Sequence, residues 1–182
     1  MELKLRELTM EQHKNAERSN FAKKLVSGKI SADEYACYLY NMRIIYSSLE
    51  TCAIKLRVMD GLEKIRRTSR IKSDLIELGN PKFNPCKSTI EYVDYLVGIT
   101  DPEKILAHVY VRHMGDLSGG QIIANRIKDE LPTKFYEFEE NTEILKDKLR
   151  EKLNNDMADE AMVAFDYAHK IFLELDARVD LG

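Results

Sequence analysis

Apolar residues recur along this chain at three- and four-residue intervals, the spacing that gathers them on one face of a helix. Over residues 2 to 18, Leu5, Leu8, Gln12 and Ala16 share one side, with charges elsewhere. A short segment carrying Phe21, Leu25 and Val26 ends at Gly28. Ser31-Ala-Asp-Glu34 has the form of a capping box, in which hydroxyl and carboxylate each take a free backbone N–H. The long helix it opens has a broad apolar face of Tyr35, Tyr38, Leu39, Met42, Ile45, Tyr46, Leu49 and Ala53, and Gly61 marks its break. Aromatic residues on such a face read as core rather than as a cofactor box.

Ser73-Asp74 begins another helical turn that Gly79-Asn80-Pro81 stops. Residues 80 to 85 read as a loop, because each proline disfavours helix at the residue before it. A helix is predicted from Ser88 to Val97, closed by Gly98. A longer one follows over about 102 to 129, where Asp101, Pro102 and Glu103 supply a cap, a first-turn proline and a first-turn acid. Leu131-Pro132 breaks it, and Phe135-Tyr-Glu-Phe138 reads as a turn that buries aromatics. Two more helices are predicted, at 142–153 and 157–178. The second is amphipathic, with Met162, Phe165, Ala168, His169, Phe172 and Leu175 on neighbouring positions. With no strand alternation and no repeat, the pattern predicts an all-α, single-domain, multi-helix bundle spanning residues 1–182.

The helix at 102–129 contains an anomaly. Gly115, Gly119 and Gly120 lie in its middle, and each costs a helix interior roughly 0.8–1 kcal/mol relative to alanine. If the helix persists, Gly115 stacks on Gly119 and Asp116 on Gly120 at i,i+4. The product is a bare strip of backbone with one carboxylate beside it, suited to a flat ligand. A close helix–helix crossing explains the same glycines, as does a helix that ends at Ser118-Gly119 with another beginning after it.

Composition narrows the class. The chain is 44% apolar and 32% charged, hence globular rather than disordered. A net charge of −3 argues against general nucleic-acid binding. The basic run at 62–72, with Lys64, Arg66, Arg67, Arg70 and Lys72, reads as a solvated face. Three cysteines, Cys37, Cys52 and Cys86, form no C-x-x-C pair and suggest reduced thiols in a cytosol-like compartment. No signal-peptide core and no membrane-length apolar run is present, and the chain ends in acidic Asp180-Leu-Gly182. The expectation is a soluble cytoplasmic protein without a membrane anchor. His13 and Glu17 are helical neighbours at i,i+4. On residues alone, His13 reads as a surface or core histidine, with metal ligation as the alternative.

Four segments, in order, resemble the biliverdin-producing haem oxygenases. Tyr110-Val-Arg112 followed by Gly115-Asp-Leu-Ser-Gly-Gly-Gln121 is similar to that family's distal helix, which lies across the haem face. His13-Lys-Asn-Ala-Glu17 followed by Phe21 is similar to its proximal segment, and Gly28 falls at the glycine after it. The last helix, from Ala161 through Leu175, matches as well. Together these cover nearly the whole chain and imply a haem-oxygenase-like bundle.

The resemblance implies roles. His13 would be the axial iron ligand and Glu17 would orient its imidazole. Gly115, Gly119 and Gly120 would let the distal backbone approach bound O2, and Asp116 would anchor a water network. Arg6, Lys146 and Arg150 would hold the haem propionates by charge-assisted hydrogen bonds. Tyr110 and Arg112 would contribute on the distal side, and Phe165 and Phe172 would wall the pocket. Haem b would serve as both cofactor and substrate, yielding biliverdin, with alpha cleavage implied, plus Fe2+ and CO. Electrons would come from ferredoxin or a reductase, since no flavin or nicotinamide fingerprint appears, and a bilin reductase could act downstream. The basic run at 64–72 is one candidate surface for an acidic donor; Lys14, Lys23 and Lys24 are another.

The chain also departs from the family pattern. His113 stands where a tyrosine is common and adds an imidazole near the distal helix. Leu149 and Ala168 replace a tyrosine and an asparagine, and the connection from Arg150 to Met157 is short. These departures bear on the propionate side more than on the iron chemistry. Family members with a membrane anchor carry an apolar C-terminal tail, and this sequence has none. Two other classes compete. A haem-binding module without turnover has no need of Asp116. A fold relative with thiamine-degrading or di-iron chemistry needs a cysteine nucleophile or a Glu/His cluster, and no Glu-x-x-His pair occurs.

Overall fold

The computed structural model of the chain describes residues 2–178. The acidic end at Asp180 lies outside the described residues. Helices α1 (Leu5–Leu8), α2 (Met10–Glu17) and α3 (Asn20–Ser27) lead into α4 (Ala32–Lys55). Then come α5 (Thr68–Glu77), α6 (Lys87–Val97), α7 (Pro102–Leu117) and α8 (Gly119–Ile127). The chain closes with α9 (Thr142–Arg150) and α10 (Ala158–Asp176). Among the described residues there is no strand, so the architecture is all-α.

Helix α4 forms the centre. Its capping box closes as the sequence predicts: Ser31 Oγ accepts from Glu34 N–H and Glu34 Oε1 from Ser31 N–H, both at 3.1 Å. All eight apolar-face residues are buried, packed against α5, α6 and α7. Helix α10 packs across α2, α3, α6 and α7. Thus α2 and α10 form one layer, α4 another, and α7 lies between them.

Several boundaries differ from those read locally. Thr9 divides the first helix, its hydroxyl donating to Leu5 O at 2.9 Å, which offers the backbone an alternative to continued helix. Helix α4 stops at Lys55, before Gly61, because Arg57 enters the left-handed region (φ 64°). Helix α5 starts at Thr68 rather than at Ser73. Its starting N–H groups are taken by Glu50 of α4: Arg67 N at 2.7 Å and Thr68 N at 3.1 Å. A cap supplied from another helix leaves no local signature.

Arg67 overturns the solvated-face expectation for the basic run. It is 1% exposed, while Lys64, Arg66 and Lys72 are exposed as expected. Its guanidinium donates to the carbonyls of Lys64, Ile65, Phe135 and Glu137 at 2.7 to 3.1 Å and lies 3.8 Å from the Phe138 ring centroid. Buried Asp74 accepts from Lys134 and Phe135 N–H, fixing the predicted aromatic turn, in which Phe135 and Tyr136 are buried. The long helix predicted over 102–129 is two helices. Ser118, at φ −115° and ψ −88°, separates α7 from α8, one of the three explanations left open for the glycines.

Candidate functional site

A cleft of about 190 Å³ lies between α2, α3 and α10 on one side and α7 and α8 on the other. His13, Glu17, Phe165 and Phe172 line the first wall; Arg112, Gly115, Asp116, Gly119 and Gly120 line the second. Residues about a hundred positions apart thereby face each other. Gly28 helps set the spacing. It ends α3 in the left-handed conformation at φ 77°, and a Cβ there would lie 3.1 Å from Arg126 Cβ of α8.

The three glycines divide in role. A Cβ on Gly115 or Gly119 would meet nothing within 4 Å, so their bare faces border open space. One on Gly120 would lie 2.5 Å from Tyr136 Cδ1. Gly120 is therefore also a packing residue, making room for the Tyr136 ring, while Gly115 and Gly119 leave the cleft wall flat.

Asp116, beside them, is buried. The Tyr46 hydroxyl lies 2.9 and 2.7 Å from its two oxygens. Burial pushes the Asp116 carboxyl up to about 7; the charges of His113, Arg67 and Arg112 and the Tyr46 hydrogen bond oppose that rise. Arg112 is buried too, with its guanidinium 5.2 Å from the Tyr92 ring centroid. Its Nε and Nη2 have no hydrogen-bond partner among the described residues. Buried donors of this kind call for an acceptor, supplied by water or ligand.

On the opposite wall, His13 Nε2 is 2.7 Å from Glu17 Oε1, and the ring stacks on Phe165 at 5.0 Å and 11°. A carboxylate on one imidazole nitrogen fixes the ring and leaves the other nitrogen for a metal. Among the described residues no group of three or more His, Cys, Asp or Glu side chains could hold a metal ion. A single histidine suits an axial position on a metal already held by a macrocycle. That histidine and the flat glycine surface opposite together fit a metalloporphyrin.

Tyr110 does not line this cleft. Its hydroxyl is held by Thr9, with Arg6 and Arg150 close enough to act on it. Lys146 pairs with Glu143 at 3.0 Å and Arg150 with Asp147 at 2.9 Å. Neither these two nor Arg6 lines the cleft; their pairs lie within one helix beside exposed acids and are of the weak, solvent-screened kind. His113 lies on α7 beside the distal glycines but does not line the cleft. It is fully buried and turned towards α4, where Nε2 lies 2.8 Å from Glu50 Oε2. His108 is likewise buried, between the Tyr92 hydroxyl at 2.6 Å and Glu160 at 2.8 Å.

Tyr46, Tyr38 and Tyr136 are site residues that local pattern assigned to the core. The Tyr38 and Tyr136 hydroxyls lie 3.1 Å apart, and both rings line the cleft. Tyr38 and Tyr46 occupy the same apolar face of α4 as true core residues. Nothing in their spacing distinguishes them.

The fold and cleft define an all-α protein with one histidine facing a glycine-flattened wall across a narrow slot. The chain belongs to the haem oxygenase family, whose profile, described as Heme oxygenase, matches residues 1–173. It is 30% identical to the Heme oxygenase of Porphyra purpurea, over 96% of this chain and 86% of that one. It is 30% identical to Heme oxygenase 2 of Synechocystis, over 88% and 73%. Among solved structures, heme oxygenase-1 from Synechocystis sp. PCC6803 in complex with heme superposes at a TM-score of 0.83. Identity there is 28%, over 98% of this chain and 92% of that one. No helix among the described residues is long and apolar enough to cross a membrane.

Proposed function

We propose that this chain binds haem in the cleft and, with O2 and reducing equivalents, cleaves it to biliverdin, Fe2+ and CO. The observation that carries the proposal is the placement of His13 across one cleft from Gly115, Gly119 and Asp116. When bound, haem supplies both the iron that activates O2 and the macrocycle that is oxidised. The protein supplies position and protons. His13 holds the substrate from one face, with Glu17 orienting the imidazole. On the other face Gly115 and Gly119 add no side-chain bulk, leaving space for a small second reactant between ligand and backbone. Asp116, titrating near neutrality, can take up and release protons there, and the Tyr46 hydroxyl holds it in place. Arg6, Lys146 and Arg150 fix the substrate's carboxylates and so its rotation.

The cleft, at about 190 Å³, is smaller than the roughly 300–1,000 Å³ usual for ligand pockets. Entry of a macrocycle therefore requires the walls to part. Helix α2 is the wall suited to move, being eight residues long and packed on α1, α3 and α10 rather than on α7 or α8. Electrons come from a ferredoxin or a reductase. The 64–72 surface is less suited to an acidic donor than its sequence suggests, since Arg67 is buried and Lys64 and Arg70 pair with Glu140 and Glu139. Lys24 is also paired, with Glu34 at 2.6 Å, which leaves the exposed Lys14 and Lys23 as the better candidates.

The test is to add haemin to the purified protein, then an electron source in air, and follow the absorption spectrum. The expected result is a histidine-ligated haem spectrum that converts to that of biliverdin. A haem spectrum that persists without conversion would leave a binding module and overturn the oxygenase proposal.

A further inference from the structure

We propose that the buried Glu50–His113 pair is a positioning device for the distal carboxylate: it keeps a cation behind Tyr46 and thereby sets the pH at which Asp116 releases its proton. The protonation of the pair follows from its neighbours. His113 Nδ1 lies 3.0 Å from Val109 O, and a carbonyl can only accept, so Nδ1 carries a hydrogen. Glu50 receives three further donors: Arg67 N–H at 2.7 Å on Oε2, and Thr68 N–H at 3.1 Å and Thr68 Oγ–H at 2.6 Å on Oε1. A carboxyl so surrounded is held as the anion. The His113 Nε2 facing it must then donate as well, which makes the ring an imidazolium.

That cation is directed at the site. The Tyr46 ring meets the His113 ring edge-on, with centroids 5.2 Å apart and planes at 70°, and the Tyr46 hydroxyl donates to both Asp116 oxygens. Asp116 is one helical turn beyond His113 on α7. The ionisable groups around the arrangement come from three elements. Helix α4 supplies Glu50 and Tyr46, α7 supplies Arg112 and Asp116, and the segment entering α5 supplies Arg67. Arg67 and Arg112 add positive charge near Asp116, and His113 is the largest of the opposing charges that act on its carboxyl. The far side of Glu50 borders a surface cleft shared with Arg66 and Lys72, which keeps the Glu50 end in a positive environment.

Asp116 as the proton-handling group rests on the function proposed above. The electrical effect of the pair on Asp116 does not, and it is measured in the protein without haem. Glu50→Gln preserves size: with its oxygen at the Oε1 position the amide still accepts from Thr68, and its NH2 in place of Oε2 donates to Nε2, leaving His113 neutral, while the Arg67 N–H loses its acceptor. His113→Gln removes the cation directly. Nitrogen NMR of the parent should find both His113 nitrogens protonated at neutral pH, and one of them deprotonated in Glu50→Gln. Carboxyl-carbon NMR should place the Asp116 midpoint higher in both variants, by about one pH unit, a tenfold change in proton affinity. With haem and reductant, the pH profile of haem conversion should move the same way. A neutral His113 in the parent would overturn the proposal, as would an unmoved Asp116 midpoint in whichever variant folds as judged by circular dichroism. If the midpoints move but haem is not converted, the pair stands and the oxygenase proposal fails.

Discussion

His13 reaches the cleft from an eight-residue helix, with its side chain 32% exposed and that of its partner Glu17 67% exposed. Asp116 faces the same cleft from a core in which Tyr46, His113 and Arg112 are all buried. The first wall rests on local sequence, a histidine and a glutamate one turn apart. The second rests on three helices meeting, with Glu50 and Tyr46 supplied by α4. A short helix can shift to admit a large ligand when little of it is buried, and of α2 only Ala16 is buried. A buried, hydrogen-bonded network cannot shift without leaving polar groups unsatisfied. On the function proposed above, the contrast gives the two walls different work: the His13 wall would admit and hold, and the Asp116 wall would keep fixed geometry for chemistry.

The comparison can be broken on the rigid side first. Arg67→Ala removes a buried guanidinium that donates to four carbonyls, and it should lower unfolding stability by about 3–5 kcal/mol, read in urea melts. A loss typical of exposed residues, within ~0.5 kcal/mol, would show that the network behind the distal wall is not tightly held. The glycines come next. Gly120→Ala places a methyl against Tyr136 and should cost about 1–3 kcal/mol by overpacking. Gly119→Ala, facing open space, should leave stability nearly unchanged and instead weaken haem binding or conversion. Equal destabilisation by both would erase the division between packing and cleft glycines.

A further effect is one of pH. Because the Asp116 carboxyl is raised from 3.8 to about 7 in the folded chain, its contribution to stability is fully present below about pH 4. That contribution is lost as pH rises towards 7, with a slope of about 1.4 kcal/mol per pH unit at most. Glu50 and Glu34, whose carboxyls are lowered, act in the opposite direction at acid pH. The clean observable is therefore the difference between the parent and Asp116→Asn. The parent's melting temperature should fall relative to the variant from pH 5 to 7 and then level off. A constant difference would mean that Asp116 titrates near its ordinary value.

The same contrast explains how much of the molecule was legible in its sequence. The helices announced by local chemistry stand where they were read: the Ser31–Glu34 capping box, the Asp101-Pro102 start and the Gly28 end. So does the all-α fold. Features made by distant contacts were missed. Arg67 reads as one more exposed cation because its four carbonyl partners lie partly in a segment about seventy residues away. The α5 start was misplaced because its cap is Glu50. Tyr46 reads as core because burial, not chemistry, sets its helical spacing, and its hydroxyl partner is on α7. The glycines were legible as an anomaly, yet their different neighbours appear only once Tyr136 is folded against α8.

The central claim, that one wall holds the substrate and the other drives its conversion, is tested most directly by comparing His13→Ala and Asp116→Ala. Each variant is loaded with haemin and supplied with reductant in air while its spectrum is followed. The account predicts that His13→Ala loses the parent's haem spectrum. Asp116→Ala should keep that spectrum but yield biliverdin roughly 100-fold more slowly. An unchanged spectrum in His13→Ala, or conversion at the parent's rate in Asp116→Ala, would contradict it.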